Sequence, residues 1–303
     1  MSVTATPART AVPHDPQPEP RRRSRGQSPV FNRPGWRSYT LLSIIFAFSV
    51  FPLWWTFVIA SRQASDINLV PPALIPGPNF LANAQKAFET VPFLQALGNS
   101  VVIATTITVV VVFFSTLAGF AFAKLRFRGR NALFIAVIAT MAIPTQLGII
   151  PLFMTMADWG WIGTLQAVIV PGLASAFGVF FMRQYLVETV PDELIEAARV
   201  DGANMWGTYW HVALPAARPA MAILGLFIFI AAWTDYLWPL LVLGTENHTV
   251  QTALAALRAS GGHVPDHSMV LAGTILATLP LLILFFAAGK QLISGIMAGA
   301  VKG

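Results

Sequence analysis

The carboxylates, histidines and lysines of this chain are few, and their spacing limits the chemistry open to them. His248, His263 and His267 come nearest to a metal-binding set. They fall within one polar stretch, and no cysteine exists anywhere in the chain to supply a thiolate, so three solvated loop residues are expected and no metal site. Gly289-Lys290 is followed by Gln291 and lacks the upstream glycine of a phosphate-binding loop, which leaves this chain without a site to hydrolyse ATP. Within the apolar segments there are no paired carboxylates, so no catalytic residues are expected. Two features remain: a lone carboxylate, Asp235, inside an apolar run, and Asp192, Glu193, Glu196 and Asp201 gathered between Val190 and Pro215.

Hydropathy decides which elements must position these residues. Of the 303 residues 55% are hydrophobic and 11% charged, against about 25% charged in a soluble domain, so the chain belongs in lipid. Apolar runs span roughly 38–60, 98–123, 132–156, 164–182, 218–243 and 268–288. Each approaches the ~20 residues that cross a bilayer core as a helix. With six crossings both termini share one side. That side holds 16 of the 19 Lys and Arg residues, whereas the other holds Arg62, Lys86 and Arg258. The richer side is assigned to the cytoplasm. The formal charge of +6 therefore reflects topology, and nucleic acid is not an expected partner.

Residues 1–37 are rich in Pro, Arg and Ser and read as a disordered cytoplasmic tail whose Arg21, Arg22, Arg23 and Arg25 meet anionic lipid. The first apolar run lies too far from the start and is too long for a cleaved signal peptide, so it reads as a retained helix. Residues 61–96, with Pro71, Pro72, Pro76, Pro78 and Pro92, suit an external loop with short amphipathic pieces. Pro144, Pro151 and Pro171 interrupt the third and fourth runs. Such breaks are tolerated in a membrane where neighbouring helices or water satisfy the freed carbonyls. Small residues such as Gly119, Ala121 and Ala123, or Ala139, Ala142 and Gly148, suit close helix packing in lipid.

Residues 190–215 are too long and too patterned for a turn. Pro191 suits a first helical position, Asp192 and Glu193 sit where the helix dipole favours carboxylates, and Gly202 supplies a left-handed stop. Asn204 caps a second helix, expected to end before Leu214-Pro215. The expected unit is a helix, a sharp turn and a helix outside the membrane.

The run Glu196-Ala197-Ala198, Asp201-Gly202-Ala203 and Leu214-Pro215 resembles the cytoplasmic loop of binding-protein-dependent ABC permeases. Asn99-Ser100, residues 121–130 (AFAKLRFRGR), Ile143-Pro144, Ile150-Pro151, the Gly160 to Thr164 turn and Phe180 to Gln184 look like the sugar-importing branch. The ending Gly295 to Gly303 resembles the MalG-type subunit. The resemblance covers nearly the whole chain after residue 37. It implies an all-α integral membrane protein of the type I importer permease fold, with six transmembrane helices, both termini inside, and a helix-turn-helix coupling loop between helices 4 and 5. The permease domain then spans 38–290 and a cytoplasmic C-terminal tail 291–303.

A division of labour follows from the same resemblance. This chain would form half of a translocation pore in a bacterial cytoplasmic membrane. Its partners would be a MalF-type permease, two ATPase subunits that carry ATP and Mg, and an extracytoplasmic sugar-binding protein. Glu196, Ala197, Ala198, Asp201, Gly202, Ala203, Leu214 and Pro215 would dock on the ATPase, and Gly299, Ala300, Val301, Lys302 and Gly303 would reach the interface between its two subunits. Where the family commonly has Trp-Asn-Asp, this chain has Trp233-Thr234-Asp235. An ABC importer for a non-sugar solute such as glycerol phosphate fits the same motifs. An ion-coupled secondary transporter is the reading from another class, and it calls for more intramembrane ionisable groups than Asp235 alone.

On a continuous fifth helix Trp238 lies about 60° from Asp235 and Trp233 about 160° away. Asp235 and Trp238 are then expected to share the translocation pathway while Trp233 packs elsewhere. The alternative for Trp233, Tyr236 and Trp238 is an interfacial aromatic belt.

Overall fold

The computed structural model describes residues 35–68, 70–262 and 264–300, the side chains of Asn68 and of residues 288–300 excepted. By internal contacts the chain divides after Val50 into two units. In the first, Trp36 begins helix α1 (Trp36–Ala60), with Thr40 Oγ1 bonded to Trp36 O and Ser49 Oγ to Ile45 O. Such back-bonding hides hydroxyls inside the helix, which suits an apolar surround.

The second unit, from Phe51, is built around α3 (Phe93–Lys124), a helix of 32 residues. Against it pack α7 (Ala176–Thr189) and α10 (Leu214–Thr234), and α10 in turn meets α13 (His267–Ala300). The remaining helices are α2 (Phe80–Thr90), α4 (Arg130–Thr140), α5 (Ile149–Asp158), α6 (Gln166–Ile169), α8 (Asp192–Val200), α9 (Met205–Thr208), α11 (Leu237–Val242) and α12 (Val250–Ser260). No strand occurs among the described residues. Small residues set the closest helix approach: a β-carbon on Gly119 of α3 would lie 2.8 Å from the backbone nitrogen of Arg183 on α7. Most of the apolar surface of the long helices faces outward, as a bilayer or a partner subunit requires.

Among the described residues five helices are long and apolar enough to span a membrane, and a sixth span results if α4 and the Thr145–Asp158 segment, bent by 85°, count as one. The third apolar run is thus two helices and not a straight crossing. Pro144 is extended, with φ −59° and ψ 124°, and the chain re-enters through a 3₁₀ turn at Thr145–Gly148. Pro151 causes no break. It lies in the first turn of α5, where its missing N–H deprives no helical bond.

Three further expectations need correction. The second helix of the 190–215 segment does not end before Leu214. It continues through a π turn at Tyr209–Ala213 into α10, and residues 205–234 form one candidate span. The π turn shifts the hydrogen-bond ladder where Pro215 lacks an N–H, so the helix absorbs the proline. The fifth run is not continuous either: α10 ends at Thr234, and Asp235 is extended with φ −65° and ψ 125°. Finally α13 runs to Ala300, so residues 291–300 of the expected C-terminal tail prolong a helix of the permease domain.

Candidate functional site

Three interrupted spans converge on one cavity of about 670 Å³. The α4–α5 bend contributes Thr145 and Gln146, and the break before α7 contributes Pro171, Ala174 and Ser175. There Val170–Leu173 is a 3₁₀ turn, Ala174 is extended, and Ser175 caps α7 by accepting from Gly178 N at 3.0 Å. The break after α10 contributes Thr234, Asp235 and Leu237, while Ile103 and Ile107 of α3 form an apolar wall. Irregular backbone at membrane depth survives only where protein buries it or water reaches it, and here three breaks share one hollow lined by apolar and polar side chains together.

Asp235 is the one ionisable residue among the lining residues, and Trp238 lines the same cavity. The Trp238 indole Nε1–H donates to Ala167 O at 3.0 Å, which fixes its ring across α6. Trp233 is 1% exposed, stacks on Phe229 at 5.6 Å, and donates from Nε1 to Ala277 O at 3.2 Å. The helical wheel is the wrong reason for this arrangement, because no helix continues through Asp235. Pro239 explains the break. In an uninterrupted helix its ring would clash with the carbonyl of Asp235, four residues back, and its missing N–H would leave that carbonyl unpaired. Thr145, Gln146 and Ser175 were not singled out from the sequence, and Thr234 stood out there only as the departure from Trp-Asn-Asp. Their signal was position: each polar residue stands beside a break, three of them within four residues of Pro144 or Pro171.

A larger hollow of about 1010 Å³, between α3, α4, α7 and α9, is lined mostly by Phe, Leu, Ala and Val side chains, with Met205, Trp206 and Tyr209 at one end. Its hydrocarbon walls offer little to a polar solute.

The second candidate site is the helical wedge. Its first helix, α8, starts after Pro191, which stands as an extended N-cap at φ −61°, ψ 149° instead of at the first helical position. Ala203 N bonds Ala198 O at 2.9 Å and Gly202 N bonds Arg199 O at 3.0 Å, closing α8 in a Schellman turn with Gly202 at φ +81°. Asn204 Oδ1 then accepts from Gly207 N at 2.8 Å to cap α9. Buried Ile195 roots α8 among Leu186, Val190 and Tyr209. Glu196, Ala197, Asp201 and Gly202 face outward, and Ala198 and Ala203 are half-buried. Leu214 and Pro215 stand at the base, in the first turn of α10. Val200, 88% exposed, and Trp206, 58% exposed, add an apolar face that the sequence reading did not single out. Lys124 Nζ bonds Asp192 Oδ1 at 2.8 Å and so ties α3 to the wedge.

At the opposite end of α3, Asn99 and Ser100 gain a role: Asn99 Nδ2 donates to His248 O at 2.9 Å, and Ser100 Oγ accepts from Val250 N at 2.8 Å. The Gly160–Thr164 turn is held there by Asn247 Nδ2 to Gly163 O and Gly163 N to Val242 O. His248 meets Thr252, and burial pushes its imidazole below the usual range; His267 is exposed, and His263 lies outside the described residues. Of the tail, Gly299 and Ala300 end α13, while Val301, Lys302 and Gly303 lie outside the described residues.

Interrupted spans around a shared hollow, with a stiff wedge projecting from the bundle, define a membrane transport subunit. The chain belongs to the family described as binding-protein-dependent transport system inner membrane component, whose model matches residues 112–296. It is 34% identical over 264 residues to the lactose transport system permease protein LacG of Rhizobium radiobacter, covering 87% of this chain and 95% of that one. The arabinooligosaccharides transport system permease protein AraQ of Halalkalibacterium halodurans is 33% identical over 271 residues, with 87% and 96% covered. The sn-glycerol-3-phosphate transport system permease protein UgpE of Yersinia enterocolitica is 34% identical over 240 residues, with 76% and 84% covered. Among solved structures, a chain of a bacterial ABC transporter that imports the acidic polysaccharide alginate superimposes with a TM-score of 0.71 at 22% identity, covering 84% of this chain and 94% of that one. This last likeness concerns the fold.

Proposed function

We propose that this chain is the permease subunit of an ATP-driven sugar importer, forming half of the pathway and hydrolysing nothing itself. The convergence of three helix breaks on the Asp235 cavity carries the reading, because a simple anchor or scaffold has no use for broken helices at that depth. Relatives named for lactose and arabino-oligosaccharides support the solute class. A single ionisable group in the cavity argues against ion-coupled transport, which relies on several.

In this reading the wedge from Asp192 to Pro215 is cytoplasmic by its basic surroundings and docks into a separate ATPase subunit that binds ATP and Mg. Glu196 supplies a polar anchor, Ala197 and Ala198 permit close approach, and Val200 and Trp206 fill apolar parts of the socket. A stiff element transmits ATP-driven closure where a flexible linker would absorb it. The second permease supplies the other half of the cavity, a binding protein delivers solute to the far face, and residues 299–303 extend from α13 toward the ATPase pair. The basic tail at 1–37 contacts anionic lipid.

Affinity purification through a tag on this chain, followed by reconstitution, tests the assignment. An ATPase subunit co-purifies, and uptake into proteoliposomes requires ATP on the wedge side. Glu196→Lys lowers both ATPase retention and uptake, and deletion of residues 299–303 lowers substrate-stimulated ATPase activity without affecting insertion. ATP-independent uptake driven by an ion gradient would refute the assignment.

A further inference from the structure

We propose that Asp235 makes this half of the pathway accept uncharged or cationic solutes and reject anionic ones, phosphorylated and uronic-acid carbohydrates included. The inference rests on the permease reading above and names its solute class. Among the described residues Asp235 is the only charged group lining the cavity, and its polar companions Thr145, Gln146, Ser175 and Thr234 are neutral. Hydroxyl groups of a neutral sugar can donate to the carboxylate and exchange bonds with the amide and hydroxyls. A phosphate or carboxylate on the solute finds no cation there to offset Asp235.

The cations at the end bearing Asn99 are engaged or placed elsewhere. Lys86 pairs with Asp266, Arg62 bonds Ile75 O at 2.8 Å and lies 3.8 Å from Asp66, and Arg258 lines a separate hollow beside Tyr236. Two like charges about 6 Å apart at an effective dielectric constant near 20 repel enough to disfavour an anion roughly hundredfold. Partial solvation of the cavity reduces this to about tenfold or more.

The natural absence of cysteine permits a direct test. Gln146→Cys places one thiol in the cavity, and Gln85→Cys places a control on the exposed face of α2. The full chain in lipid nanodiscs is treated with methanethiosulfonates of matched size bearing either a trimethylammonium or a sulfonate group. Each rate is divided by that reagent's rate with a free thiol in solution. At residue 146 the cationic reagent is expected to lead by about tenfold or more, Asp235→Asn to bring the ratio toward one, and Asp235→Glu to keep it; the ratio at residue 85 does not respond. A ratio near one beside native Asp235, or a ratio unchanged by Asp235→Asn, overturns the proposal.

The assembled transporter provides the second measurement, comparing ATP-driven uptake of lactose with that of sn-glycerol 3-phosphate. Preferential uptake of glycerol phosphate overturns the selectivity. A strong cationic preference at residue 146 without any ATP-driven uptake upholds the charged cavity and counts against the permease assignment alone.

Discussion

Nζ of Lys124 lies 2.8 Å from Oδ1 of Asp192, so the last residue of α3 grips the first residue of α8. Lys124 is 6% exposed at its side chain and Asp192 73%, which makes the lysine a fixed post and the wedge the tethered part. The hydrogen bond from Lys124 holds the Asp192 carboxyl below its usual range, and the charges of Lys124, Arg126 and Arg130 act in the same direction. A depressed carboxylate contributes its stabilisation fully above its unfolded pKa of about 3.9 and loses it as the pH falls through the folded value. Hydrogen-exchange protection of residues 192–204 is therefore expected to stay level from about pH 7 to 5 and to decline below about 4. Asp192→Asn lowers protection at neutral pH and abolishes the acid step. Equal protection in the variant and the native chain across that range would show that the pair holds nothing.

Gly202 tests whether wedge geometry matters apart from bulk. No atom lies within 4 Å of where its β-carbon would stand, so backbone conformation at φ +81° is the sole obstacle to a side chain. The left-handed region costs an ordinary L residue about 1–2 kcal/mol, and Asn tolerates it far better. Retention of the ATPase subunit and uptake should rank Gly202 and Gly202→Asn together, Gly202→Ala lower and Gly202→Val lowest. Val performing as well as Asn would mean that the turn's handedness is irrelevant to docking.

Gly178 is a second tight contact between α7 and α3, since a β-carbon there would collide with Ser115 Oγ. Overpacking a rigid contact costs about 1–3 kcal/mol. Gly178→Ala is expected to lower the thermal midpoint in detergent, and Ser115→Gly on that background to restore part of the loss by removing the colliding hydroxymethyl group. Full additivity of the two substitutions would indicate that the residues do not share one contact.

What could be read from the sequence depended on whether its cause was local. Pro144 and Pro171 break helices through their own missing N–H, Gly202 through its freedom at positive φ, and Asn204 caps through its own side chain, so each was visible in isolation. The end of α10 was missed because its cause stands downstream at Pro239, four residues beyond Asp235 and inside an unbroken apolar run. The continuation of the wedge into α10 is hidden in the sequence because Pro215 reads as a stop, and only the π turn before it shows how the helix accommodates the ring. The cavity itself joins residues 103, 146, 175 and 235, and no local pattern reports such a meeting.

Ser100 fastens the end of the bundle opposite the wedge. The residue is 3% exposed and its hydroxyl accepts the N–H of Val250, the first residue of α12, while Thr249 and Thr252 complete that helix start with a capping box. From α12, Gln251 Nε2 reaches Trp233 O at 3.4 Å, two residues before Asp235, so the seam also steadies the cavity's third break. Ser100→Ala would leave a buried N–H without an acceptor, a loss of about 1–3 kcal/mol, whereas Ser100→Thr keeps the oxygen. The Ala variant should therefore show a lower thermal midpoint and faster amide exchange across residues 249–254, with the wedge at 192–204 unaffected. Thr should fall between Ala and the native residue, because its extra methyl group must fit a packed seam. Unchanged exchange at 249–254 in Ser100→Ala would mean that water or another acceptor serves Val250, and that this contact does not hold α12 to α3.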